Sequence, residues 1–168
     1  RFRVNIFRQR GEIAFVVRHI KGVILSLEDL FLPTSLIDFI MAPRGLVLIA
    51  GGNDSGKSTT MSAMLDYRNQ HHTGHILTIE DPVEYLYQHK KSIVDQREVG
   101  IDTLSYDTAL KNALRESPDV VMLSEITKGS ILKSVLSFVE KGHLCLSSVF
   151  SENFHEVLDR LVHFFPEV

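Results

Sequence analysis

Gly45 to Thr59 reads GLVLIAGGNDSGKST, and three textures follow one another within it. "GLVLIA" is a short apolar run with the length and branching of a buried strand. "GGNDSG" is too rich in glycine and polar residues to continue that strand. "KST" then opens a stretch spaced as a helix to about Asn69. The spacing Gly51-x-x-x-x-Gly56-Lys57-Ser58 completes a Walker A pattern, and the flanking strand and helix are the context it requires. Gly51, Gly52, Asn53, Asp54, Ser55, Gly56, Lys57, Ser58 and Thr59 then form a candidate cradle for phosphate. Successive backbone N–H groups there, at the positive end of a helix dipole, attract phosphate oxygens. Lys57 adds a full positive charge, and the Ser58 hydroxyl can ligate magnesium. An ordinary glycine turn is the bland alternative; Lys57 and Ser58 argue against it.

Asp54 complicates the loop. Positive φ is often needed at such a point, and Asn and Asp tolerate it better than other side chains. A carboxylate beside a triphosphate is nonetheless repulsive, so the expectation is weaker nucleotide binding, not its loss.

Outward from the loop, strands and helices alternate. "HILTIE", "SIVDQ", "DVVML" and "HLCLSSV" read as strands. "SYDTALKNALRES", ended by Pro118, "GSILKSVLSFVEKG", closed by Gly142, and "HEVLDRLVHFF", stopped by Pro166, read as helices. This order predicts an α/β fold, a mainly parallel sheet flanked by helices. Upstream, "RFRVNIF" alternates with period two, the pattern of a half-buried strand, and "EIAFVVRHI" is a second strand-like run after the turn "QRG". Residues 25–34 read as a linker, and Ser35–Met41 as a short helix.

With 168 residues, 44% of them hydrophobic, the chain can build one substantial core. A formal charge of −3 makes no electrostatic case for a nucleic-acid partner. The single cysteine, Cys145, lies in an apolar run; it excludes an internal disulfide framework and fits a reducing compartment. No apolar run reaches the length of a membrane span and no signal-peptide pattern is present, so a soluble, intracellular protein is expected. The opening on Arg1, in what reads as mid-strand sequence, suggests an excerpt of a longer protein.

Glu125 closes the buried strand of "DVVMLSEI". A carboxylate at a strand tip near a phosphate loop can orient and deprotonate an attacking water. "ILTIEDPVEY" places Glu80, Asp81 and Glu84 together after another strand, a candidate metal or water position in which Glu84 reads as a solvated acid. The candidate catalytic residues are therefore Glu125, Lys57 and Glu80, and the candidate metal ligands Ser58, Glu80 and Asp81. The 8 histidines show no metal-ligand spacing; His71, His72, His155 and His163 read as structural or surface residues.

Taken together, "RFRVN…QRG", "RGLVLIAG…SGKST", "HILTIEDPVEY", "QREVGIDTLSYDTALKNALRESPDVVML" and "GHLCL…LDRLVHFFP" resemble the type IV pilus retraction ATPases. These form the PilT/PilU group of the larger, GspE-like secretion ATPase superfamily. "YRNQHHTGHILTIEDPVEY", "ALKNALRESPDV" and "HFFP" lean toward PilU. The resemblance runs from Arg1 to Pro166. It implies a RecA-like P-loop core over residues 35–168, incomplete at its C-terminus, after residues 1–24 as the last strands of a PAS-like N-terminal domain. It further implies ATP and Mg2+ as cofactors and a cytoplasmic homo-hexamer at the inner membrane beneath a pilus. A related retraction ATPase and the inner-membrane pilus platform are the implied partners. Arg3 and Arg18 match family arginines that reach toward the γ-phosphate; two ordinary exposed strand arginines are the alternative.

The chain departs from the family at four places around the expected phosphates. Ser124 stands for a glycine, Thr127 for an arginine and Phe150 for a histidine, and Asn53-Asp54 replaces Thr-Gly. Phe150 can neither donate to a phosphate nor relay a proton. Two readings follow: a motor ATPase driving pilus retraction, or a nucleotide-binding, catalytically weakened subunit that assembles with or regulates an active partner. A small-molecule P-loop kinase ranks below both, for want of an acceptor-binding lid.

Overall fold

The computed structural model describes residues 2–20 and 22–164; Arg1, Lys21 and residues 165–168, with the expected Pro166 stop, lie outside the described residues. In chain order the elements are β1 (Phe2–Gln9), β2 (Glu12–His19), α1 (Ser35–Met41), β3 (Gly45–Gly51), α2 (Lys57–His71), β4 (His75–Glu80), β5 (Ile93–Glu98), α3 (Tyr106–Glu116), β6 (Val120–Leu123), α4 (Gly129–Glu140), β7 (Leu144–Phe150) and α5 (Phe154–His163).

Strands β3 to β7 pair in parallel, in the order β3-β7-β6-β4-β5. Successive parallel strands need long crossovers, and α2, α3 and α4 supply three of them: β3 to β4, β5 to β6 and β6 to β7. The strand sequences are apolar on both faces because both faces are covered. Ile76, Val120, Met122, Leu144 and Leu146 pack with Ile40 of α1 and Met61, Met64 and Leu65 of α2. Their neighbours Leu77, Ile79, Val121, Leu123 and Cys145 turn the other way, onto Leu110 and Ala113 of α3 and Leu132, Val135 and Phe138 of α4. Full burial of each Val, Leu, Ile, Met or Phe among them contributes about 1.5–3 kcal/mol. Cys145 is a buried small hydrophobe, as expected, and burial pushes its thiol up to about 12.

Two polar residues of α2 brace the site from below. Arg68 Nη1 donates to the carbonyls of Ile40 (2.6 Å) and Ala42 (3.0 Å), satisfying acceptors at the end of α1. Buried Asn69 donates to Gln88 O (2.8 Å) and accepts from Lys90 N (3.2 Å), pinning the loop between β4 and β5.

Strands β1 and β2 form a separate antiparallel hairpin, Phe2 opposite His19 and Arg3 opposite Arg18. Its turn is Arg10-Gly11, both at positive φ (52° and 85°), the twist-compatible two-residue hairpin turn. The half-burial expected of β1 is not found: Phe2 and Ile6 are about two-thirds exposed (65% and 68%), and Ile13 and Phe15 of β2 are as open (71% and 66%). Period-two alternation marks a face suited to burial, but it does not supply the layer that covers it. Residues 25–34, read as a linker, are not a free tether. Leu27 is buried, and Leu30 and Leu32 pack against the α1–α2 side of the core.

Candidate functional site

All five parallel strands run the same way, so β3, β4, β6 and β7 deliver their ends to one edge of the sheet. There Gly51 stands opposite Phe150, and Ile79 opposite Leu123. The loop after β3, the acids after β4 and the Ser124-Glu125 pair after β6 therefore converge without being near in sequence. Crevices at the carboxyl ends of parallel strands are the usual ligand sites of such sheets. Here they frame a cavity of about 800 Å³, bordered by residues 53–59, Glu80, Asp81, Ser124, Glu125 and Arg18.

The glycine-rich loop is shaped by its own residues. A side chain at Gly51 would collide with Ser55 Oγ, whose hydroxyl donates to Gly52 O at 2.8 Å. Asp54 adopts φ of 56° and Gly56 φ of 92°, so the expected left-handed turn is present at Asp54. Helix α2 starts directly at Lys57, leaving the N–H groups of its first turn without intrahelical acceptors. Lys57 Nζ donates to the carbonyls of Gly51 (2.9 Å) and Gly52 (2.6 Å), two of the three bonds an ammonium can make. The Asp54 carboxylate is exposed and makes no hydrogen bond or ion pair among the described residues.

Ser124 N donates to Ile79 O (3.1 Å) and Ile126 N to Ser148 O (2.9 Å), so the residues flanking Glu125 are tied to β4 and β7. Ser148 Oγ adds a bond to Ser124 O at 2.6 Å. Glu125 itself is half-buried on the cavity wall. Glu80 is almost fully buried (4% exposed) and accepts from Thr78 Oγ1 at 2.7 Å and Gln96 Nε2 at 3.1 Å. Burial holds its carboxyl above the usual range, against the opposing pull of those hydrogen bonds. Asp81 and Glu84 are exposed. Among the described residues no group of three or more His, Cys, Asp or Glu is placed to hold a metal ion; the expected ligands are two acids and the Ser58 hydroxyl, with Glu84 outside the set. The buried one, Glu80, is turned into its own hydrogen bonds. Ser58, Glu80, Asp81 and Glu125 still offer hard oxygen donors around one cavity. That set suits a magnesium ion that keeps water and phosphate oxygens as its other ligands.

Of the two hairpin arginines, Arg18 borders the cavity and Arg3 does not; both border a smaller neighbouring hollow with Asn5 and Pro82, and Arg3 pairs with Glu98 Oε1 at 2.9 Å. Glu98 sits at the end of β5, and its other oxygen accepts from Val83 N (3.1 Å). Phe150 ends β7 beside the loop, and Thr127 is exposed on the cavity rim.

Sequence reasoning missed the tyrosines. Tyr85, Tyr87 and Tyr106 border the cavity, and Tyr85 Oη lies 3.0 Å from Thr59 Oγ1. The alternation "VEYLYQ" was the available signal for the first two. Tyr106 was hidden as the first residue of a helix capped by Ser105, whose Oγ accepts from Thr108 N at 3.1 Å.

The sequence profile of the family described as "Type II/IV secretion system protein" matches residues 11–166. The type IV pilus ATPase PilU of Pseudomonas aeruginosa is 47% identical over 166 residues, which cover 99% of this chain and 44% of that protein. A twitching motility protein of Neisseria gonorrhoeae is 43% identical, with 99% and 44% covered. A crystal structure of the pilus retraction motor PilT with bound ADP superposes with a TM-score of 0.95 at 42% identity, covering 98% of this chain and 48% of that one. The chain thus spans about half the length of the relatives it matches.

Proposed function

This chain belongs to the Type II/IV secretion system protein family, and from that premise we propose that it is the nucleotide-binding part of a motor ATPase coupling ATP hydrolysis to type IV pilus retraction and twitching motility. One observation carries the reading: residues 53–59 of the loop at the start of α2 and Glu125 border the same cavity at the carboxyl edge of the sheet. The ADP held by the similar PilT structure supports a nucleotide there.

In this reading Gly51–Thr59 is a P-loop whose free N–H groups bind the phosphates, and the remaining N–H of Lys57 reaches the β- and γ-oxygens. A magnesium ion held through Ser58, Glu80 and Asp81 would neutralise phosphate charge. Glu125, fixed by its neighbours' bonds to β4 and β7, orients the attacking water and takes its proton. Arg18 stabilises charge on the transferring phosphoryl group from the hairpin side, and Arg3 holds the hairpin against Glu98. The same proposal includes the division into a hairpin (1–24) ending a preceding domain, a connecting segment (25–34) and a RecA-like core (35–168). It also includes assembly as a cytoplasmic homo-hexamer against the inner-membrane pilus platform, with a related retraction ATPase as a further partner. No helix among the described residues is long and apolar enough to cross a membrane.

The test is phosphate release by the full-length protein. Lys57→Ala abolishes it. Glu125→Gln lowers kcat by roughly 10²-fold or more while nucleotide still binds, the size of effect a general base supplies. Release no faster than in Lys57→Ala would refute the motor reading and leave nucleotide binding alone.

A further inference from the structure

The Ser124 hydroxyl stands at a junction that the function above does not use. It accepts the Asp81 N–H at 3.2 Å, and it shares a short hydrogen bond with the Tyr106 hydroxyl. Asp81 follows β4, Ser124 follows β6 and Tyr106 opens α3, so one hydroxyl ties three elements together at the cavity wall. Ser124 is also the residue before Glu125, and its own N–H and C=O are already bound to Ile79 and Ser148. With the backbone fixed on both sides, the side chain is left to hold the Asp81 loop and α3 against the same point.

We propose that Ser124 and Tyr106 form a hydroxyl clamp, a pair of positioning residues that fixes Glu125 and Asp81 relative to each other across the cavity. Neither residue needs to touch the reacting atoms. The clamp acts on where the water-activating carboxylate of Glu125 stands relative to the wall bearing Asp81. Small misplacements of such a group cost large factors in rate while leaving ligand binding almost untouched. Burial pushes the Tyr106 phenol up to about 12. Ser124 has one proton and two acceptor sites, enough for Asp81 N–H and Tyr106 together.

The catalytic half of this proposal rests on the ATPase reading; the geometric half does not. Two measurements on the full-length protein therefore separate them. In steady-state phosphate release, Ser124→Ala and Tyr106→Phe each lower kcat by about three- to tenfold, with ADP affinity within about twofold of wild type. The double variant falls no further than the worse single one, because each removes the same bond. Losses that multiply, affinity that falls in step with kcat, or unchanged kcat overturn the positioning role. In amide hydrogen exchange, segments 79–85 and 123–127 exchange faster in both single variants, whether or not the protein hydrolyses ATP. Unchanged exchange in both overturns the clamp. Absence of Lys57-dependent hydrolysis with faster exchange overturns the catalytic role and the ATPase reading while upholding the clamp.

Discussion

Lys57 Nζ lies 5.9 Å from the centroid of the Phe150 ring, and the Arg160 guanidinium lies at the same 5.9 Å. Arg160 also donates to Phe150 O at 2.9 Å, so the aromatic residue is held from both its backbone and its face. The ring reaches the ammonium because β3 and β7 are parallel neighbours with Gly51 opposite Phe150. Phe150 thus stands beside the lysine of the loop, and toward that cation it contributes only a quadrupole.

Phe150→His places a donor at that point. Turnover should rise roughly tenfold, about the worth of one hydrogen bond in the transition state. Steady-state kinetics on the full-length protein checks it. An unchanged kcat would show that Phe150 does not limit the site and would turn attention to Asp54.

Asp54→Gly removes an exposed negative charge at a residue already at positive φ, where glycine is unstrained. KM for ATP should fall roughly two- to fivefold at low ionic strength, and the difference should shrink in high salt, where an exposed charge is screened. A KM that does not move at any salt concentration contradicts the electrostatic account of this residue.

Glu80 carries a pH signature. Its folded pKa is raised by burial, so its contribution to stability is fully present below the unfolded value of about 4.3 and is lost as pH climbs through the folded value. Glu80→Gln keeps one acceptor oxygen and cannot ionise. The melting temperature of this variant minus that of wild type should therefore increase from about pH 4 to pH 8. A gap that is constant or narrows with rising pH is incompatible with a raised pKa.

Arg68→Ala leaves the carbonyls of Ile40 and Ala42 without their charged donor. The loss should be about 1.5–3 kcal/mol of unfolding free energy, the range for a hydrogen bond to a charged group. Chemical denaturation reads it directly, and a loss below a few tenths would mean that α1 finds other caps.

Much of the fold could be read residue by residue. Helix α1 runs from Ser35 to Met41 as its spacing predicts, and "GLVLIA" and "HILTIE" are strands that end where the chemistry begins. "SIVDQ", the faintest of these signals, is β5, which continues to Glu98. Such features are local: apolar periodicity, glycine punctuation and caps act over a few residues, so a short window contains their cause. The Asp54 turn was legible for the same reason, since positive φ is a property of one residue and its neighbours.

The strand order β3-β7-β6-β4-β5 is a different kind of fact. No window of sequence contains it, because it is settled by which apolar faces pack together across the whole core. That order brings Phe150 to Lys57 and sets Glu125 and residues 53–59 of the loop around one cavity. It also lets Glu98 hold Arg3 at 2.9 Å while Arg18 alone of the pair borders that cavity. By itself the sequence determined the loop, the alternation of strands and helices, and the residue types able to handle phosphate. Only the tertiary structure decided which of those residues meet. Contacts between distant segments follow from burying two sheet faces at once, a condition that the whole chain satisfies and no motif expresses.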